Sequence, residues 1–135
     1  MANKTQIIPN EVDIPTSMLE ATSNLAENLL QSEPFLRYKA AERKLQKDSE
    51  AQQLLTDLSE MQQKIRELQY TGVISETDLK RLRALQNAEG TNDVIQEYGL
   101  AQELAITLLR EVNQEISNLL GIDFASLTRR SGGCC

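Results

Sequence analysis

Apolar residues recur along this chain at steps of three and four, and no stretch alternates with the period of two expected of a half-buried strand. The pattern predicts helices from about residue 16 onward. Residues 1–15 hold two prolines and little pattern, and they read as a loose arm. A first helix is expected from Thr16 or Ser17, where Ser17 and Glu20 have the spacing of a capping box. Met18, Thr22, Leu25 and Leu29 form one face of it, flanked by Leu19, Ala26 and Leu30. Ser32-Glu33-Pro34 interrupts the pattern, because proline cannot donate to a preceding turn but suits a first turn, and Ser32 makes a good new N-cap. The second helix then spans about 33–47, with Phe35, Tyr38, Ala41 and Leu45 on one side.

Asp48 or Ser49 restarts the pattern for a third helix over about 49–70. Its apolar residues Ala51, Leu54, Leu58, Met61, Ile65 and Leu68 make a narrow stripe of coiled-coil type, and Gly72 is its stop. Ser75 with Asp78 opens a short helix to about Ala88, and Glu89-Gly90-Thr91-Asn92 reads as a turn. The last helix, about 93–120, is the longest. Val94, Tyr98, Ala101, Ala105, Leu108, Val112, Ile116 and Leu119 form its stripe, and Ile95, Ile106, Leu109 and Leu120 widen this to an arc of about 200° at 100° per residue. That is more than one partner helix covers, so this helix is central in the bundle or shared with another subunit. Gly121 closes it. Residues 122–135 are not helical by pattern; Phe124 and Leu127 are placed to fold back on the bundle, and Ser131-Gly132-Gly133 tethers Cys134 and Cys135. The expectation is an all-α, antiparallel helical bundle of about five helices with a long C-terminal helix, dimerising. Its domain would cover 16–121 between the N-terminal arm and a flexible tail of 122–135.

Composition narrows the chemistry more than the fold. With 135 residues, 40% of them hydrophobic and 25% charged, the chain suits one soluble domain able to bury a core without disulfides. Aromatics are only 4%, so aliphatic side chains must carry the packing. There is no histidine, which removes Ser-His-Asp and Cys-His catalysis and any imidazole metal ligand. No cysteine precedes Cys134, so no Cys-based zinc site lies within the fold. Carboxylates are scattered on helix faces, and neither a phosphate-binding glycine loop nor an EF-hand pattern occurs; an enzyme is not expected. No apolar run reaches the 18 or so residues needed to cross a bilayer, and the first residues lack a secretory apolar region, which together make the cytoplasm the expected compartment.

The net charge of −6 argues against direct nucleic-acid binding. Its distribution is uneven. Residues 36–48 carry Arg37, Lys39, Arg43, Lys44 and Lys47 against Glu42 and Asp48, whereas residues 91–121 carry Arg110 against Asp93, Glu97, Glu103, Glu111 and Glu115. These are solvated helix faces or complementary surfaces for helix pairing or a partner, and Arg37, Lys44 and Lys47 are the candidate partner contacts. Tyr38, Tyr70 and Tyr98 read as amphipathic core residues with a wet hydroxyl. Four readings stay open for Cys134 and Cys135: inert thiols, redox or intermolecular disulfide exchange, lipidation, and thiolate ligands for an iron–sulfur cluster or soft metal. A Gly-Gly-Cys-Cys end resembles doubly prenylated GTPase tails, but none of the phosphate-binding motifs of a GTPase is present. A cluster generally takes four thiolates, so one copy of this chain cannot complete it.

The run from Pro34 through Tyr38, Lys39, Glu42, Leu45, Asp48, Glu50, Ala51 and Leu54 to Leu55 resembles the opening of the YlbF/YmcA family of bacterial regulators. The later runs Val94 to Leu104 and Glu111 to Ile116 resemble that family's long final helix, and the similarity covers about residues 17–121 plus the Gly-Gly-Cys tail. The resemblance implies a small helical, self-associating protein without a catalytic site. It implies a regulatory subunit supporting competence, sporulation, biofilm development and endoribonuclease-dependent RNA maturation. Members of the YlbF-like branch carry cysteines in a glycine-rich tail and, with YmcA and YaaT, form a complex holding iron–sulfur clusters. The resemblance therefore implies partners like YmcA and YaaT, and a [4Fe–4S] cluster shared with another subunit through Cys134 and Cys135, the positions here that match that tail.

Overall fold

A computed structural model describes residues 12–129. They form six helices, α1 (Thr16–Gln31), α2 (Glu33–Lys47), α3 (Ser49–Thr71), α4 (Glu76–Thr91), α5 (Asp93–Leu120) and α6 (Phe124–Thr128), with no strand among the described residues. The chain divides into two compact units at Ser32 and Glu33.

The first unit contains α1. The helix starts at Thr16, as its pattern predicts, but Ser17 is already inside it. Pro15 is the N-cap, its carbonyl accepting from the amides of Met18 and Leu19, and no side chain caps this end. The Ser17–Glu20 capping box therefore does not form. Ser32 also acts differently from its sequence reading. Its amide and its hydroxyl both donate to the carbonyl of Leu29, closing α1 rather than opening α2. No residue of α1 is buried, and Met18, Leu19, Leu25 and Leu30 are exposed.

In the second unit α2 runs antiparallel to α5, with Tyr38 beside Tyr98 and Leu45 in one cluster with Ile95. The helix α3 turns back into α4 through Gly72–Ser75, and Lys64 reaches Asp78 across that hairpin at 2.8 Å. The core has a small centre. Leu45, Ala51 and Ile95 are buried there, with Leu54, Leu55, Val94 and Tyr98 packed around them, so α2, α3 and α5 meet at one point. Ala51 and Ala101 are fully shielded, which is what a short side chain permits where helix backbones approach closely. Along α3 the predicted stripe holds: Leu58, Met61 and Ile65 are buried, and Leu54 and Leu68 half-buried.

The helix ends are closed by local hydrogen bonds. Asp48 accepts from the Ala51 amide at 2.9 Å, Ser75 from that of Asp78 at 3.1 Å and Asn92 from that of Ile95 at 3.0 Å, each satisfying an orphan donor of a first turn. The predicted turn at residues 89–92 is mostly helix. Gly90 and Thr91 lie in α4, where the Thr91 hydroxyl donates to the carbonyls of Asn87 and Ala88, leaving Asn92 alone as the junction with α5. Residues 122–129 also hold more regular structure than their pattern suggests. Asp123 accepts from the Ser126 amide and starts the short α6, which packs on α5, while the Phe124 amide donates to the Ser117 hydroxyl at 3.1 Å. Five residues are too few to show a helical period.

Two glycines make opposite predictions. Gly90 sits in a regular helix with open space around its Cα, so Gly90→Ala should stabilise the fold by about 0.5–1 kcal/mol by restricting the unfolded chain. Gly121 has φ of 71°, the left-handed conformation that ends α5, and Gly121→Ala should destabilise it by about 1–2 kcal/mol. Urea denaturation of the two variants checks both signs.

Candidate docking surface

The oppositely charged stretches of α2 and α5 are brought together. Arg37 clamps Glu97 through two nearly parallel hydrogen bonds, Nε to Oε1 at 2.8 Å and Nη2 to Oε2 at 3.1 Å. This bidentate contact holds the Glu97 carboxyl below the usual carboxylate range, opposed next by desolvation and then helped by the charges of Arg37 and Lys44. One residue on in each helix, the rings of Tyr38 and Tyr98 lie 5.7 Å apart at 37°, with their hydroxyls 3.4 Å apart. The shared hydrogen bond, followed by burial, raises the Tyr98 phenol above the ordinary tyrosine range. Of the three candidate partner contacts, Arg37 is thus engaged within the chain. Lys44 and Lys47 meet at a shallow groove beside Asp48 and Val94. Tyr70 is not a core residue: at 89% exposure it stands off the end of α3, next to the Gly72 turn.

Asp78 is the second carboxyl held low, by hydrogen bonds from Lys64 first and Ser75 second. Both carboxylates are more acidic folded than unfolded. The stability they contribute is complete above the ordinary carboxylate range, about pH 4, and is lost as pH falls through their lowered values. Glu97→Gln with Asp78→Asn should flatten the dependence of melting temperature on pH between roughly pH 5 and 2, as followed by circular dichroism.

The apolar arc of α5 is only partly used. Val94, Tyr98, Ala101 and Ala105 lie on the stripe that faces α2, and the last two are buried. A second stripe, set round the helix from the first, runs through Gln102, Ile106, Leu109, Asn113, Ile116 and Leu120 at alternating steps of four and three. Ile106, Leu109 and Leu120 on it are exposed, at 39%, 44% and 56%, and Asn113 and Ile116 are half-buried. Phe124 and Leu127 of α6 continue the exposed apolar surface. Between α5 and α6 lies an open groove of about 750 Å³, lined in part by Arg110, Asn113, Ser117 and Ile122. Sequence periodicity shows that the arc is wide. It does not show which half α2 covers, since that depends on contacts sixty residues apart.

Cys134 and Cys135, the predicted cofactor ligands, lie outside the described residues. Among the described residues no group of three or more Asp, Glu, His or Cys side chains is placed to hold a metal ion, and no helix is long and apolar enough to cross a membrane.

Residues 18–120 match the family described as "Control of competence regulator ComK, YlbF/YmcA". A UPF0342 protein of Caldicellulosiruptor bescii is 26% identical over 95 residues, which is 70% of this chain and 80% of that protein. One from Caldicellulosiruptor saccharolyticus is 25% identical over 99 residues, covering 73% and 82%. Among solved structures, a chain in the X-ray crystal structure of Bacillus subtilis RicA in complex with RicF superposes with a TM-score of 0.68 at 22% identity, covering 79% of this chain and 96% of that one. At that identity the likeness establishes the fold.

Proposed function

Since the chain belongs to the YlbF/YmcA family, we propose that it is a non-enzymatic regulatory adaptor of the cytoplasm, which self-associates and docks onto protein partners. The observation that carries this reading is the second stripe of α5: a row of Ile and Leu on a regular helix, facing solvent beside a half already packed on α2. Apolar surface arranged in this way is worth most when another protein covers it. The likeness to a chain crystallised within a RicA–RicF complex supports the same reading, because that chain was crystallised with a protein partner. In function, the family points to control of competence, and we extend this to bacterial development and RNA maturation through partners like YmcA and YaaT.

We further assign Cys134 and Cys135 as ligands of a shared [4Fe–4S] cluster. Two adjacent thiolates are half of the usual donor set, so the remaining ligands come from a second copy or a partner. Anaerobic co-purification from the native host, with iron and sulfide assayed in the complex, tests the whole reading. The expected result is recovery of protein partners and of iron that falls when Cys134→Ser and Cys135→Ser are introduced together. Iron content unchanged by the double substitution would remove the tail from the site, and failure to recover any partner would remove the adaptor function.

A further inference from the structure

We propose that the groove between α5 and α6 binds a small phosphate monoester, with Arg110 and Arg129 as its cationic contacts. This site does not depend on the docking function proposed above. The chain builds the groove by turning at Gly121, whose left-handed φ of 71° ends α5. The Ile122 amide then donates to the Ser117 carbonyl at 3.2 Å, and α6 packs back on α5. Arg110, Gln114, Ser117 and Gly121 recur at steps of four and three, so they share one face of α5, and that face is one wall of the groove. Arg129, the C-cap of α6, lines it from the other side. A volume of about 750 Å³ falls within the range of about 300–1,000 Å³ for sites that hold small organic ligands.

The groove offers donors in excess. Three oxygens in its lining already accept internal hydrogen bonds. Asn118 Oδ1 takes one from Gln114 Nε2 at 2.9 Å, Ser117 Oγ from the Phe124 amide at 3.1 Å, and Asp123 Oδ1 from the Ser126 amide at 3.3 Å. Several donors beside them are unused. Among the described residues neither guanidinium has an ion-pair or hydrogen-bond partner, and the Ser117 hydroxyl proton and the Asn118 side-chain N–H groups have no acceptor. Spacing explains why Arg110 stands alone. Ile106, Thr107, Asn113 and Gln114 occupy the positions three and four away, so no acidic residue is in reach along the helix. Asp123 is the single carboxylate in the lining against the two arginines, a local reversal of sign in a protein of net charge −6.

An anion answers this imbalance, and the spread of the donors selects phosphate. A carboxylate presents two oxygens in one plane. Here the donors come from successive turns of α5 and from the far end of α6, and a phosphate monoester offers three terminal oxygens in a tetrahedral arrangement. Guanidinium groups pair with such oxygens bidentately. The organic part of the ester lies in the rest of the groove, against Gly121 and Ile122.

Amide NMR of the full chain tests the site, with titrations of inorganic phosphate, ribose 5-phosphate and acetate at matched ionic strength. Both phosphates should shift the amides of Ser117, Asn118, Gly121 and Asp123 along saturating curves, the ester at lower concentration. Arg110→Gln with Arg129→Gln should weaken binding by about tenfold or more, the loss expected when charge-assisted hydrogen bonds are removed, and should leave the rest of the spectrum in place. Arg81→Gln with Arg83→Gln removes the same charge from exposed positions of α4 and should change binding by less than about twofold. No saturable shift at the groove amides with either phosphate would overturn the proposal. Equal weakening by the two double variants would do so as well, since it means attraction to net charge alone. Acetate binding as tightly as phosphate would overturn the choice of phosphate, and an ester no tighter than the inorganic ion would overturn the organic part.

Discussion

Replacing Leu45 by alanine is expected to lower the free energy of unfolding by about 2–5 kcal/mol, the range for a large-to-small change at a buried aliphatic site. Leu45 belongs to the cluster in which α2, α3 and α5 meet, where it packs with Ala51 and Ile95 and where Leu54, Leu55, Val94 and Tyr98 close round it. The neighbouring side chains have little freedom to fill the void. Ala51 is too short to reach into it, and Tyr98 is held by its hydroxyl contact with Tyr38. The loss weighs heavily because only nine hydrophobic side chains are buried among the described residues, and a domain's total is roughly 5–15 kcal/mol. At about 4 °C per kcal/mol, the melting temperature should fall on the order of 10–20 °C. Calorimetry at fixed protein concentration measures it. A shift of 2 °C or less would mean that the junction of the three helices is not where the stability of the second unit resides.

Leu109→Glu should act on association instead of folding. Leu109 is 44% exposed in the isolated chain, so a glutamate there leaves the monomer within about 0.5 kcal/mol of its original stability. In the proposed self-association the same carboxylate is covered by the other copy and loses water without gaining a partner. A central interface position of this kind costs 2 kcal/mol or more, which corresponds to a rise in the dimer dissociation constant on the order of a hundredfold when the lost leucine contact is included. Leu119→Glu is the control. At 86% exposure Leu119 is the more solvent-facing residue, yet it lies about 80° round the helix from Leu109 and off the second stripe. Sedimentation velocity should find Leu119→Glu dimeric under conditions where Leu109→Glu is monomeric. The opposite result would assign the interface to the other flank of α5.

These expectations rest on a fold that was largely legible in the amino-acid sequence, and the reasons are local. Asp48, Ser75 and Asn92 each stand where a side-chain oxygen can take an orphan amide, and each does so. Gly121 ends α5 because only a left-handed residue fits there cheaply. The misreadings are local as well. Ser17 has a plausible partner in Glu20, but Pro15 supplies the end of the helix two residues earlier, and Ser32 finds an acceptor behind it in the Leu29 carbonyl. Thr91 keeps α4 helical past a glycine that propensity alone would make a stop. What sequence could not give is the partition of the α5 arc. The Arg37–Glu97 clamp and the Tyr38–Tyr98 pair decide it, and both join residues sixty positions apart. Opposite charge on the two stretches hinted at the first. Nothing in the spacing of the tyrosines distinguished Tyr38 and Tyr98, which pair, from Tyr70, which stands in solvent.

The junctions between helices also govern where the chain tolerates extra residues. One residue separates α1 from α2, one separates α2 from α3, and Asn92 alone separates α4 from α5. A single insertion at Asp48 or Asn92 shifts the phase between consecutive helices by up to 100° and carries a buried stripe off its neighbour. Between α3 and α4 the chain has slack: Gly72 to Ser75 form no helix, Val73 is 91% exposed, and Tyr70 just before them is free of the core. Among the described residues this hairpin is where an internal epitope, a fluorophore or a short peptide loop can be threaded in without disturbing the packing of α2 on α5.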